Sequence, residues 1–197
     1  MRKALASNPN DAVARLLLGI VRAEALRQDP AKLSQEVTPL FGGPAGQWQE
    51  PTDQAAELEL QGWLAQLTGQ ADQAKALRAR ALEIRQKIAE GLFPSERAPS
   101  AAPMKIGGDV TAPKLISKRE PDYTRLALFA RWEGGVALQT TVGIDGRPHD
   151  IRLLSGLGLG LDEQAVAAVR DWRFKPAQRK GQPVNSQATI EVNFRII

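Results

Sequence analysis

The stretch Trp172-Arg173-Phe174-Lys175-Pro176-Ala177 decides the fold predicted for this chain, because two aromatic side chains alternate there with two cations. Alternation places Trp172 and Phe174 on one side, where large rings are usually buried, so we interpret both as structural. Arg173 and Lys175 between them are then expected to face solvent. The stretch predicts one wall of a hydrophobic core.

Alternating segments lie on both sides of this stretch. Residues 135–144 and residues 187–196 each place apolar and polar side chains in turn, the period of two that is typical of a half-buried strand. Asp145 and Gly146 follow the first segment and predict a two-residue hairpin turn. Residues 151–154 would form the returning strand. Together these segments predict one antiparallel sheet.

A helix is predicted between the returning strand and the aromatic stretch. Asp162 can cap its free N–H groups, and Leu161 can pack on Val166 about one turn further along. The alternating glycines of residues 156–160 are interpreted as a flexible connection, because the Lys-Ser/Thr signature of a phosphate loop is missing. The predicted order is strand, hairpin, strand, helix and strand.

The chain carries, in order, the motifs Glu120-Pro121-Asp122-Tyr123, Gly134-Gly135-Val136, Asp145-Gly146, the aromatic stretch, Gly181-Gln182-Pro183-Val184 and Val192-Asn193-Phe194. Taken together, these motifs resemble the C-terminal domain of the TonB family over roughly residues 105–197. Thr124 stands where that family usually has proline. The resemblance implies an α+β domain, a small antiparallel sheet packed with helices. It also marks Gly135, Asp145, Gly146, Trp172, Phe174 and Pro176 as structural positions.

The resemblance also implies a way of binding. In the family, this periplasmic domain engages outer-membrane transporters, whose short TonB-box segment adds beside the last strand. Main-chain hydrogen bonds supply affinity in such strand addition. Glu120 and Tyr123 would lie near the same partner. An edge blunted against aggregation by the charges of Glu191 and Arg195 is the alternative. The residues implied to form the partner-binding edge are Ile190, Glu191, Val192, Asn193, Phe194, Arg195 and Ile196.

The N-terminal half predicts a separate, all-helical domain over residues 1–93, joined through a Pro/Ala/Ser-rich linker, residues 94–112, to the TonB-like domain, residues 113–197. Its small residues resemble those that let paired helices pack closely in tetratricopeptide repeats (TPR). An earlier, weaker copy of that pattern starts near Asn8. Generic amphipathic hairpins explain the same pattern equally well. The small residues concerned are Gly62, Gly69, Ala74 and Ala81.

Composition narrows the function classes. The net charge of +4 is small and interspersed with acids, which argues against nucleic-acid binding. The chain has no cysteine, which excludes disulfides and thiolate metal sites. Residues 12–26 are apolar but interrupted by charges, so they predict neither a membrane span nor a signal peptide. Because a helical pattern follows directly on Met1, we expect a truncated piece whose targeting segment lies upstream.

Residue patterns that carry catalytic chemistry are missing. His149 is the only histidine and is expected to be a solvated turn residue, because general-base chemistry requires a partner and a pocket. No Ser-His-Asp, HExxH or nucleophile-elbow pattern occurs in the sequence. We therefore expect no enzymatic activity, no cofactor and no metal site.

The preferred function is a periplasmic TonB-family module that binds a TonB-dependent outer-membrane transporter, or another envelope protein, through its edge strand. Energy transduction would need an inner-membrane motor, and therefore an anchor upstream of Met1. The alternative is a non-energised adaptor or scaffold that uses the helical domain, with surface positions such as Arg78 or Arg85 as its contacts. The sequence leaves open whether a homodimer forms, and it identifies neither the transporter nor its cargo.

Overall fold

The structure is a computed structural model that describes residues 12–26, 28–37, 51–93 and 101–196. The chain divides into two compact units, Met1–Arg85 and Gln86–Ile197. The division drawn from the sequence, into residues 1–93, 94–112 and 113–197, stays a prediction. The start of the weaker repeat copy, near Asn8, lies outside the described residues, as does the first part of the Pro/Ala/Ser segment.

Helices dominate the described part of the N-terminal half, as predicted. They are α1 (Ala12–Ala25), α2 (Pro30–Glu36), α3 (Pro51–Leu67) and α4 (Ala71–Leu92). No helix among the described residues is long and apolar enough to cross a membrane. Gly62 lies where α3 approaches α4, because an added Cβ would sit 3.1 Å from Arg78 Cγ and 3.3 Å from the Ala74 carbonyl oxygen. The helices are confirmed, whereas the TPR-like character stays a prediction.

Arg85 occupies the interior of the helical hairpin. Its side chain is only 2% exposed, and its Nε lies 2.9 Å from Glu59 Oε1 while a second guanidinium nitrogen lies 3.1 Å from Oε2. Such a two-point pair compensates the burial of the charge through directed hydrogen bonds. The prediction that Arg85 is a surface contact is therefore wrong.

The C-terminal unit is built on a three-stranded antiparallel sheet. Its strands are β2 (Gly134–Val142), β3 (Pro148–Ser155) and β7 (Ser186–Phe194), in the order β3-β2-β7. Helix α6 (Leu161–Arg170) packs against β2 and β3. The predicted strands, helix and antiparallel pairing are confirmed, with the returning strand longer than expected. The core side chains include Val136, Leu138, Val142, Leu161, Ala165, Val166, Val169, Ile190, Val192 and Phe194.

Several short elements complete this unit and were missed. Strand β1 (Lys114–Ser117) pairs with β4 (Arg173–Lys175), and β5 (Ala177–Arg179) pairs with β6 (Gln182–Val184). Helix α5 (Arg125–Ala130) begins after Thr124, whose side-chain oxygen accepts a hydrogen bond from the Ala127 N–H. Threonine is a good N-cap, so Thr124 accounts for the start of this helix. Runs of three to six residues are too short for periodicity to reveal.

The hairpin between β2 and β3 differs from the two-residue turn that was predicted. The Gly143 N–H donates to the Arg147 carbonyl, and the Gly146 N–H donates to the Gly143 carbonyl. Only Gly146 has a positive φ, of 74°, whereas a two-residue turn of the predicted type needs positive φ at both central positions. The loop therefore has three residues, with the glycine in the left-handed position at its end.

Asp162 does not cap α6. The N-cap position is Gly160, which makes no side-chain hydrogen bond there. The Asp162 carboxylate is 2% exposed and accepts hydrogen bonds from the backbone N–H groups of Leu157, at 2.7 Å, and Gly158, at 3.1 Å. Residues 156–160, predicted to be a flexible connection, are thus tied down by this carboxylate.

Candidate partner-binding edge

Strand β7 forms one edge of the three-stranded sheet. Outside the sheet, its Gln187 N–H donates to the Met104 carbonyl at 3.0 Å. Because the N–H and C=O of one residue point the same way in a strand, this bond fixes the direction of the other backbone groups. Thr189, Glu191 and Asn193 direct their N–H groups away from β2. No described residue pairs with these three groups.

The side chains of β7 follow the same alternation. The even-numbered residues Ile190, Val192 and Phe194 are buried, and their register partners on β2 are Leu138, Val136 and Gly134. Because the direction of the backbone groups alternates along the strand, those of the even-numbered residues bond to β2. Within the implied edge, the outward N–H groups of the strand itself are therefore those of Glu191 and Asn193. Of the two implied residues beyond β7, Arg195 is exposed, and the Ile196 N–H donates to Glu133 Oε1 at 2.6 Å.

Strands β7 and β3 are unequal as edges. The β2–β7 ladder runs over nine register pairs without a shift. The β2–β3 ladder contains two register shifts, and the Leu153 N–H on β3 is already bonded to Gln86 Oε1 at 2.7 Å. Because bulges and covering side chains make an edge unsuitable for further pairing, β7 is the regular edge and β3 the protected one.

Gly135 makes room on β2 for two side chains of β7. A Cβ added at Gly135 would lie 2.7 Å from Glu191 Oε1 and 3.3 Å from Asn193 Oδ1. The two polar side chains therefore lie over the neighbouring strand β2, in the space that a side chain at residue 135 would fill. This position shows a physical reason for the Gly-Gly-Val motif. The Glu191 carboxylate thus lies on the β2 side of β7, and the blunting of this edge by Glu191 and Arg195 stays an untested alternative.

Tyr123 lies against the end of β7. Its ring meets the Phe194 ring edge to face, with centroids 5.4 Å apart, and its hydroxyl donates to the Trp132 carbonyl at 3.2 Å. Desolvation, together with the negative charge of Glu133, raises the pKa of Tyr123 above its usual value of 10.0. The residue expected near the partner is thus fixed to Phe194, the last residue of β7.

Glu120 has a different environment. Its exposed carboxylate pairs with Lys118, while the next residue, Arg119, pairs with Asp171 at 3.0 Å and with Asp122 at 3.2 Å. Exposed pairs of this kind contribute little stability. A role for Glu120 near a partner stays a prediction.

The aromatic stretch is structural, as expected. Trp172 is 8% exposed, its indole N–H donates to the Arg119 carbonyl at 2.9 Å, and its ring lies 6.2 Å from that of Phe174. Lys175 is exposed, but Arg173 is half-buried and donates to the carbonyl oxygens of Arg170 and Trp172. The prediction that Arg173 simply faces solvent is therefore wrong.

The Asp145-Gly146 turn contacts the aromatic stretch. The Phe174 N–H donates to the Gly146 carbonyl at 2.9 Å, and a Cβ added at Gly146 would collide with the Phe174 carbonyl oxygen. Glycine is thus required there both for its positive φ and for close approach. Pro176 follows β4 and separates it from β5.

His149 is not a solvated turn residue. Its side chain is 11% exposed, and its Nε2 lies 3.2 Å from both carboxylate oxygens of Asp145. Desolvation opposes ionisation of Asp145, but hydrogen bonds from the Arg147 N–H and His149 outweigh it, and the pKa of this carboxyl lies below its usual 3.8. The imidazole therefore braces the hairpin through its contact with Asp145.

Sequence reasoning missed the contact between Met104 and β7. Besides accepting from Gln187, Met104 donates its N–H to the Asn185 carbonyl at 2.8 Å and forms a parallel bridge with Ser186. Met104 lies in the segment interpreted as a linker, and one apolar residue among prolines and alanines gives no periodic signal. From residue 101 onwards this segment is part of the folded unit.

The fold is that of a small α+β domain with β7 as a regular edge strand. The family model described as Gram-negative bacterial TonB protein C-terminal matches residues 119–196. These residues therefore match the C-terminal domain of TonB.

Curated relatives share this part of the chain. Protein tonB2 of Pseudomonas aeruginosa is 34% identical over 77 residues, which are 39% of this chain and 28% of that protein. Protein TonB of Klebsiella pneumoniae is 32% identical over 107 residues, which are 52% of this chain and 42% of that protein. The chain thus spans less than half the length of these relatives. A solution NMR structure of the Pseudomonas aeruginosa TonB CTD is 33% identical, with a TM-score of 0.36, and covers 47% of this chain and 93% of that one.

Proposed function

We propose that this domain binds an extended segment of a TonB-dependent outer-membrane transporter, its TonB box, by adding that segment beside the outer edge of β7. The observation that carries the proposal is the row of outward N–H groups at Thr189, Glu191 and Asn193 on a strand without register shifts. An edge of this kind is a template for one further strand.

The chemistry of the edge supports backbone recognition. Each added main-chain hydrogen bond contributes a net of about 0.5–1.5 kcal/mol, so several in a row are needed for useful affinity. The side chains of Glu191 and Asn193 lie over Gly135, which favours an accessible edge over the blunted one considered above. The Tyr123–Phe194 contact stiffens the end of the strand, which reduces the ordering cost of binding.

Energy transduction is proposed only for a native protein that also carries an inner-membrane anchor, through which a motor would act. The periplasm is then the compartment of the whole chain. An adaptor that binds through the helical unit is the competing proposal. Because Arg85 is buried, the exposed candidate contact of the helical unit is Arg78. The Arg78 guanidinium donates a hydrogen bond to Gln66.

Titration with a synthetic TonB-box peptide tests the proposal. Glu191→Pro and Asn193→Pro each remove one outward donor, and their matched controls, Glu191→Ala and Asn193→Ala, keep the N–H. We expect each proline variant to bind about tenfold more weakly than wild type, and each alanine variant to bind within about twofold of it.

Thermal melts first establish that every variant is folded. Unchanged peptide affinity in both folded proline variants would reject edge pairing. Loss of an envelope partner in pull-down experiments with Arg78→Glu, but not with the proline variants, would favour the adaptor.

A further inference from the structure

Residues 101–104, here called the strap, lie beside the beginning of β7. Met104 pairs with this strand in the parallel direction through two backbone bonds, from its own N–H to the Asn185 carbonyl at 2.8 Å and from the Gln187 N–H to its carbonyl at 3.0 Å. The strap therefore already occupies the first outward donor of the edge on which the proposed function rests.

Asn185 holds the strap at its other end. Its side-chain amide donates to the Ala101 carbonyl at 2.9 Å, while its side-chain oxygen accepts from the Ile144 N–H at 3.0 Å. The residue is 7% exposed, so both bonds are shielded from water. One side chain thus connects the strap, the hairpin turn and β7.

We propose that the strap is a built-in competitor that sets the length and register of the strand that β7 accepts. With the strap in place, a partner finds outward N–H groups only at Thr189, Glu191 and Asn193. Because outward groups recur at every second residue, this row matches a segment of about five residues. Displacement of Met104 would add Gln187 and extend the match to about seven.

The competition has a measurable consequence. A longer partner that reaches Gln187 must replace the Met104 bonds with its own, and therefore gains little from its extra residues. We expect TonB-box peptides of five and seven residues to bind the full wild-type chain with affinities within about twofold, since one set of backbone bonds is exchanged for another.

Asn185→Asp releases the strap selectively. The carboxylate keeps an acceptor for the Ile144 N–H but has no donor for the Ala101 carbonyl, which it repels. In this variant the seven-residue peptide should bind about tenfold tighter than the five-residue peptide.

A disulfide between the strap and β7 would have the opposite effect to Asn185→Asp and hold the strap in place. Met104 and Ser186 are bridge partners, Ser186 is fully buried, and its hydroxyl makes no hydrogen bond among the described residues. Replacing both by cysteine, in a chain that has no other cysteine, allows the strap to be locked by oxidation. The reduced form of the same protein is the matched control and keeps the inference testable if Asn185→Asp does not fold.

Titration of the two peptides against these variants, together with amide hydrogen exchange, tests the inference. We expect the Gln187 amide to exchange about tenfold or more slowly than those of Thr189, Glu191 and Asn193 in the free wild type, and at a similar rate to them in Asn185→Asp. The oxidised cysteine variant should bind the five-residue and the seven-residue peptide with equal affinity, the affinity that wild type has for the five-residue peptide.

Two failures are distinguishable. If the Gln187 amide of wild type exchanges as fast as those of Thr189, Glu191 and Asn193, the strap proposal is overturned while edge pairing stays intact. The same holds if wild type, Asn185→Asp and the oxidised cysteine variant all prefer the longer peptide tenfold. Absence of binding by both peptides to every folded variant would overturn edge pairing, and the strap's role as a length limit would fall with it.

Discussion

The rings of Tyr123 and Phe194 meet edge to face, with centroids 5.4 Å apart and planes at 87°. Tyr123 ends the motif that opens the TonB-like domain, and Phe194 is the last residue of β7. Two residues 71 positions apart in the sequence thus form one contact beneath the candidate edge. Their joint presence in the sequence has a structural cause.

Tyr123→Ala should lower the free energy of unfolding by about 2–4 kcal/mol, because it removes a half-buried ring and its edge-to-face contact. Tyr123→Phe keeps the ring and loses only the hydrogen bond to the Trp132 carbonyl, so about 1 kcal/mol is expected. Urea titrations measure both. Equal losses in the two variants would show that the hydroxyl, rather than the ring, holds this contact.

Trp172→Ala should lower the free energy of unfolding by about 3–5 kcal/mol through loss of a large buried ring. Arg173→Ala should cost about 1 kcal/mol, above the value for a fully exposed side chain, because its bonds to the Arg170 and Trp172 carbonyls are lost. Lys175→Ala is the exposed control and should change stability by less than about 0.5 kcal/mol. A neutral Arg173→Ala would mean that its two bonds contribute nothing.

Gly135→Ala should weaken TonB-box peptide binding more than it weakens the fold. The added methyl group displaces the Glu191 carboxylate from its place over β2 and moves it toward the outer edge. We expect about a fivefold loss of affinity, equivalent to about 1 kcal/mol. In the double variant with Glu191→Ala, binding should recover to within about twofold of wild type. No recovery would place the effect in the backbone rather than in the carboxylate.

Asp162→Ala should cost about 2–4 kcal/mol, because the buried N–H groups of Leu157 and Gly158 lose their acceptor. Asp162→Asn keeps one acceptor oxygen and should cost less. Hydrogen exchange at the two amides reports the loss locally. Unaltered protection in the alanine variant would mean that another group holds residues 156–160.

The Asp145 carboxyl predicts a pH effect whose sign follows from its lowered pKa. A depressed folded-state pKa stabilises the protein above the unfolded-state pKa of about 3.9, and this contribution is lost as pH falls through the folded-state value. Wild type should therefore lose stability relative to Asp145→Asn as pH decreases below about 4. Urea titrations of wild type and Asp145→Asn from pH 6 to pH 2.5 measure the difference in stability. A difference that stays constant over this pH range would contradict the assignment.

Period-two alternation was a good guide wherever a strand was long enough to repeat it. It identified β2 and β7 almost to their ends, and the burial of Trp172 and Phe174, because these depend on local side-chain pattern. It could not identify α5, β1 or the Met104 bridge, since these are short and fixed by tertiary contacts. Asp162 and His149 were misjudged for the same reason. Their partners, Leu157 and Asp145, are near in sequence, but their burial depends on the whole fold.

Two of the positions that carry outward N–H groups on β7, Glu191 and Asn193, have side chains that lie over Gly135. The surface offered to a further strand is therefore largely the repeating peptide group, which is the same whatever the amino acid. Substitution of Glu191 or Asn193 by another polar residue leaves that surface of β7 unchanged. Most sequence variation in the partner likewise leaves the partner's own peptide groups unchanged. Under the proposed pairing, partners whose sequences have diverged from one another would still match this edge through their common backbone.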